Sequence, residues 1–340
     1  MSLYRTELRR LIKRRFTRWM TLAGVLVLLA VLAGVFLTNH KIGPAEQARA
    51  ERQAEQQYQE QVRRAQQERT ACEQAKAAGT PNTDRRFPPE CEVISPPPRD
   101  VIEAKWFLPS TFDFRASFEA TLIPFAAILA LVGFVVGASF VGAEWSTGGM
   151  MNLLLWRPKR LTVLLTKLAA LLTGLLTLTL TSAVVWTAGF WLVGTLRGTT
   201  AKMTAGAWQS FALTGLRGLL LVLAAAAIGF ALASLGRHTA MALGGAIALA
   251  VVGQFGVGIL LSMANVRFVE AWLLPTYALA WMQKKVTLEN WQSCNNASYF
   301  GECKPETLDI TWQHSSTLLV VGLVLMLGAA FWTMRRRDIS

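Results

Sequence analysis

Six long apolar stretches divide this chain, at residues 19–38, 120–143, 168–193, 218–235, 239–263 and 315–334. A bilayer core about 30 Å thick needs roughly 20 apolar residues at about 1.5 Å rise each. Each stretch meets or nearly meets that length, and soluble cores rarely hold six such segments. Inside lipid, every backbone N–H and C=O must find its partner within the protein, which restricts apolar spans of this length to helices. The stretches therefore predict an all-α membrane protein with six transmembrane helices.

The basic residues set the expected orientation, because cytoplasmic ends of spans carry excess Lys and Arg. Arg5, Arg9, Arg10, Lys13, Arg14, Arg15 and Arg18 precede the first span. Arg157, Lys159, Arg160 and Lys167 lie between the second and third, Arg237 lies between the fourth and fifth, and Arg335–Arg337 follow the sixth. With six spans, all four groups fall on one side. Residues 1–18, 144–167 and 335–340 are thus expected in the cytoplasm, with both termini there. Residues 39–119, 194–217 and 264–314 are expected outside. The formal net charge of +13 is then an attraction to anionic lipid headgroups rather than to nucleic acid. The expected location is a bacterial plasma membrane, crossed several times.

Cysteine placement tests this topology without using hydropathy. Cys72, Cys91, Cys294 and Cys303 all fall in the two long segments assigned to the outside, where disulfides persist. Four cysteines allow three pairings, and proximity in sequence favours Cys72–Cys91 and Cys294–Cys303.

Residues 1–18 read as an amphipathic helix. Tyr4, Leu8, Leu11, Ile12, Phe16 and Trp19 recur at steps of three and four. Arg5, Arg9 and Lys13 occupy other faces, which places this helix in the membrane interface with Trp19 at its end. The following apolar run is longer than a secretory signal core and lacks a clean cleavage site, so an uncleaved signal-anchor is expected. Residues 45–78 are rich in Ala, Glu, Gln and Arg, which predicts a solvated helix without a core stripe. Prolines then impose turns and extended backbone up to residue 98. Residues 268–282 are aromatic and interrupted by Pro275, and read as a short interfacial piece. Gly133 and Gly137 form a Gly-x-x-x-Gly pair, and five glycines crowd residues 244–258. Such small residues let helices approach closely, either within one subunit or between two.

Several chemistries lack their residues. The chain has no Gly-rich loop ending in Lys-Ser or Lys-Thr, no His-Glu-x-x-His and no Cys-x-x-Cys. His40, His238 and His314 sit at span edges. No metal, cofactor or catalytic residue is expected. Spans with mild polarity (Gln254 and several threonines) suit an amphiphilic cargo better than an ion.

Residues 142–160, GAEWSTGGMMNLLLWRPKR, combine features that stand apart from the rest. An acidic-aromatic pair, Glu144-Trp145, ends the second span. A Ser-Thr-Gly-Gly turn follows, then a short apolar helix stopped by Pro158. This hook resembles the loop after the second span in ABC-2 type ABC transporter permeases. There an acid and an aromatic precede small residues, an apolar stretch and Arg-Pro-x-x-Arg. Here Arg157-Pro158-Lys159-Arg160 brings the second basic pair closer, and Gly149-Met150-Met151 replaces the family's Thr and basic residue. The six spans, basic N-terminal helix and large segment after the first span are similar too.

The resemblance implies an exporter permease subunit without its own motor. A separate ATP-binding cassette ATPase would bind ATP and Mg, and a second permease subunit would complete the membrane part. Glu144, Trp145, Met150, Met151, Leu154, Arg157 and Arg160 are the expected contacts to the ATPase. The alternative is a membrane-anchored assembly or receptor-like protein acting through residues 39–119.

Overall fold

A computed structural model describes residues 3–78, 87–156, 159–290 and 304–336. The chain divides into two units, one of residues 1–33, 115–191 and 201–340, the other of 34–114 and 192–200.

Six helices are long and apolar enough to cross a membrane. They are α2 (Arg15–Thr38), α4 (Phe114–Ser146), α6 (Arg160–Arg197), α7 (Ala205–Gly236), α8 (Thr239–Met263) and α10 (Trp312–Arg336). Shorter helices complete the set: α1 (Leu3–Lys13), α3 (Pro44–Ala77), α5 (Gly149–Trp156) and α9 (Leu274–Gln283). Five of the six long helices outrun their apolar stretches, and α8 coincides with its own. Thus α7 begins at Ala205, capped by the Thr204 hydroxyl, which accepts from Ala207 N.

The first unit is a helical bundle built on α4 and α7. Glycine makes their close approach possible. A Cβ at Gly137 would overlap the Ala226 carbonyl of α7, and one at Gly229 would overlap the Phe134 carbonyl of α4. Around this seam pack Val136, Phe140, Leu171, Leu175, Ala226 and Phe230. Leucines and valines elsewhere on the long helices remain exposed, as expected where the surrounding solvent is hydrocarbon. Threonines on α6 turn their hydroxyls onto their own helix: Thr166, Thr173, Thr177, Thr181 and Thr187 each donate to the carbonyl four residues back. In α8 the backbone loosens into a π-helical turn over Val251–Gly256. There Gln254 Oε1 accepts from Leu274 N at 2.9 Å, satisfying a free amide at the start of α9.

Residues 268–282 contain α9, whose Thr276, Ala280 and Met282 are buried. An antiparallel hairpin of β3 (Lys285–Asn290) and β4 (Glu306–Thr311) follows, with Val286 opposite Ile310 and Leu288 opposite Leu308. Hydropathy alone did not predict this hairpin, although Val286, Leu288, Leu308 and Ile310 alternate with polar residues at the strand period.

The second unit carries the solvated helix α3. Gly43 N donates to the Glu46 carboxylate at 2.9 Å at its start. Cys72 is fully buried and disulfide-bonded to Cys91, the pairing expected from sequence proximity. Arg99 reaches back to Glu55 at 2.5 Å and lies over the Tyr58 ring. Two residues, β1 (Phe112–Asp113), pair in parallel with β2 (Gly198–Thr199), and a Cβ at Gly198 would collide with the Phe112 carbonyl. The expected Cys294–Cys303 pair lies outside the described residues, as do Arg157 and Pro158.

Candidate functional site

At one end of the bundle three helices meet around a buried lysine. Lys167, on α6, has no exposed side-chain surface. Its Nζ lies 2.7 Å from Glu7 Oε2 of α1 and 2.6 Å from Glu144 Oε2 of α4. The first contact is a hydrogen bond. The second is a close ion pair off the hydrogen-bonding direction, which leaves Glu144 Oε2 without such a bond among the described residues. The Phe140 ring stands 5.2 Å from the same ammonium. Removing these charges from water carries a large cost, and only mutual pairing offsets it.

Arginines of the N-terminal segment extend the cluster. Arg10 Nη1 lies 3.4 Å from Glu7 Oε1. Arg14 marks the break between α1 and α2, and its Nη1 donates to the Ser139 carbonyl at 2.7 Å. Burial pushes the Arg14 guanidinium below its ordinary pKa, and the Glu144 charge opposes that shift. Tyr4 and Thr173 share a hydrogen bond at 2.8 Å, and Leu11 rests on Gly174. Helix α1 is therefore fixed along α6 by both polar and apolar contacts.

The hook expected from sequence sits against this cluster. Gly148, at φ 73°, turns the chain out of α4 in the left-handed conformation that favours glycine. Helix α5 then runs back with Met150 and Leu154 buried in the core. Leu155 and Trp156 stay 80% and 87% exposed. Between the α4 end and α5 lies a cavity of about 480 Å³ reached by Arg10, Glu144, Asn152 and Trp156. Arg237, the left-handed residue ending α7, holds its guanidinium 5.0 Å from the Trp145 ring.

Of the residues singled out for contact with an ATPase, the structure packs Trp145 with Met150 and Leu154, with Glu144 lining the adjoining cavity and Met151 next along α5. Arg160 begins α6. Met150 and Leu154 face inward, so the exposed apolar surface of the hook belongs to Leu155 and Trp156 instead. On α1, Arg5, Arg9 and Lys13 are exposed, as is Trp19 on α2. Gly133 and Gly137 face α7 of the same chain. Sequence reasoning missed Glu7 and Lys167. Glu7 did carry a signal, as the one acid among seven basic residues in positions 3–19.

Six long apolar helices with a buried charge cluster at one bundle end define a multi-pass protein of the plasma membrane. The chain belongs to the ABC-2 family transporter proteins, matching that family over residues 1–338. Members of this family are typically non-catalytic permeases that lie in the bilayer and generally pair with a separate ATPase subunit. No curated protein and no solved structure matches the chain.

Proposed function

We propose that this chain is the membrane-spanning subunit of an ABC-type exporter for an amphiphilic substrate, driven by ATP hydrolysed in a separate subunit. The observation that carries the reading is the seating of α5. A short apolar helix presents Leu155 and Trp156 to solvent while Met150 and Leu154 anchor it beside Glu144 and Lys167. An exposed apolar pair on a rigidly held helix fits a protein partner. A push on α5 reaches α4 through the Gly148 turn, and the shared lysine links α4 to α6 and α1. Both termini and α5 then lie in the cytoplasm, α1 lies at the interface, and α3 lies outside.

A second permease subunit completes the assembly. Its support is α8, whose apolar window has no buried residue and where a Cβ added at Gly244 or Gly245 would meet no neighbouring helix within 4 Å among the described residues. Differential affinity of the ATPase for two arrangements of α5 would drive the change of access.

The test is purification from native membranes in mild detergent, comparing the native chain with a Leu155→Ala, Trp156→Ala variant. The expected result is an ATP-binding protein that copurifies with the native chain and is lost from the variant, with unfolding unchanged. Equal retention by both would remove α5 from the contact. Absence of any ATPase from an intact native preparation would count against the exporter.

A further inference from the structure

A groove beside the elbow of α1 and α2 has the chemistry of a phospholipid site. It measures about 570 Å³ and runs between α2 and α6, with α1 closing one end. Arg18, Thr21, Leu22 and Val25 line it from α2. Steps of three and four place these four residues on one helix face, with the charge at the top, then Thr21, whose hydroxyl donates to the Thr17 carbonyl, beside Leu22 and with Val25 below. The opposite wall is α6, where Gly174, Thr177, Leu178 and Thr181 follow the same spacing. The Thr177 and Thr181 hydroxyls are spent on their own helix carbonyls, so this wall offers methyl groups rather than donors. The lower groove is thus apolar on both sides, and its mouth is cationic.

Arg18 is exposed, and its side chain makes one hydrogen bond among the described residues, from Nε to the Ile12 carbonyl at 3.1 Å. That bond fixes the guanidinium at the elbow and leaves both terminal nitrogens for another acceptor. Arg18 lies 20 residues before Thr38, the last of α2, which is about 30 Å of helix, close to the hydrocarbon thickness. It therefore stands at headgroup level when α2 spans the membrane. Exposed Lys13 and Arg15 flank it.

We infer that this groove binds one anionic phospholipid of the surrounding leaflet, its phosphate on Arg18 and an acyl chain between α2 and α6. The guanidinium fork holds phosphate oxygens, the cationic mouth favours a headgroup with no ammonium of its own, and the apolar walls select a chain. Leu11 lines the same groove and packs on Gly174, one turn from Glu7. An occupied groove therefore braces the helix pair that carries the buried ion cluster. The inference concerns a bilayer lipid rather than a transported one, and it stands apart from the exporter reading.

Native mass spectrometry of the full-length chain, titrated with phosphatidylglycerol and phosphatidylcholine in mixed micelles, tests it. The expected result is retention of phosphatidylglycerol over phosphatidylcholine by about ten-fold: both lipids carry the phosphate, but the choline ammonium of the second is repelled by the Arg18 guanidinium, about the size of two like charges at headgroup distance near the protein surface. Arg18→Gln abolishes that preference, and Arg18→Lys keeps part of it. Arg15→Gln removes the same charge next to the groove but not from its lining, and leaves the preference intact. Thr177→Phe fills the groove and lowers retention with Arg18 still present. Thermal unfolding of each variant in detergent separates loss of the site from loss of the fold. Equal effects of Arg15→Gln and Arg18→Gln would reduce the site to general surface attraction and overturn the inference. So would displacement of the lipid by inorganic phosphate, or full retention by a folded Thr177→Phe chain.

Discussion

Lys167→Met isolates the buried ion cluster. Methionine keeps a flexible side chain of similar length, so the change removes charge more than volume. Glu7 and Glu144 each approach the lost ammonium within 2.7 Å, and the substitution leaves them facing one another. Removing one partner of a buried ion pair costs about 3–5 kcal/mol. The Coulomb term has the same size: the two oxygens, each within 2.7 Å of one nitrogen, are at most about 5 Å apart, and at an effective dielectric constant of about 20 repel by about 3 kcal/mol or more. The two carboxylates are not equally affected. Glu7 has no exposed side-chain surface, whereas Glu144 keeps 21% and relaxes towards water. Neutralising Glu7 should therefore rescue Lys167→Met more than neutralising Glu144 does. Equilibrium unfolding in mixed detergent–SDS micelles measures this. We expect Lys167→Met to lose about 4 kcal/mol, with Glu7→Gln restoring at least half of it, about 2 kcal/mol. A loss below about 0.5 kcal/mol, the level of an inconsequential surface change, would refute the reasoning, and so would better rescue by Glu144→Gln.

Other parts of the fold give sharp expectations. Gly137→Leu drives a side chain into the Ala226 carbonyl of α7; backbone cannot yield as a side chain can, so the folded yield in detergent should fall well beyond the usual overpacking loss of about 1–3 kcal/mol. Leu154→Ala should cost about 2–5 kcal/mol in the same unfolding assay, while Leu155→Ala, one residue along α5, changes stability little. Reducing the Cys72–Cys91 bridge, which closes a loop of 19 residues, should loosen the second unit by about 3 kcal/mol, read as faster proteolysis of residues 87–111. Hydrogen bonds from Lys285 and Thr287 hold the Asp309 carboxyl below its usual range. Because the folded value is depressed, its contribution is complete above the unfolded carboxylate range and disappears as pH falls through the lowered value. Amide exchange in β3 should therefore be flat through neutral pH and accelerate only in acid, and Asp309→Asn should speed it at neutral pH.

The spans were legible because length and hydropathy are properties of local sequence. The hook was legible for a related reason: Gly148, the apolar run after it and Glu144-Trp145 are contiguous, so their local geometry implies their neighbourhood. The lysine cluster was not legible. Glu7 and Lys167 lie 160 positions apart, and a lysine near a span end reads as a topology signal whether it faces headgroups or a carboxylate. The inward face of α5 was missed for a different cause. An eight-residue helix with Asn152 as its single polar side chain is too short a pattern to have been read for its inward face, so Met150 and Leu154 were not told from Leu155. Gly133 and Gly137 announced a close approach, but only the opposing Ala226 carbonyl says which helix approaches.

The threonines of α6 bear on how the chain is made. A hydroxyl bonded to its own helix carbonyl needs nothing from a neighbouring helix, so α6 completes its polar pairing at Thr166, Thr177, Thr181 and Thr187 while still alone. Composition scales count these side chains as polar, yet the emerging segment presents methyl groups to lipid. At these four positions helix α6 can therefore leave the insertion machinery sideways and wait in the bilayer without a neighbour. Its buried charge, Lys167, sits near the start of the helix and stays at the water boundary until Glu7 and Glu144 close over it. Assembly of the bundle then ends with a neutralisation step at the surface rather than a search for partners within the hydrocarbon.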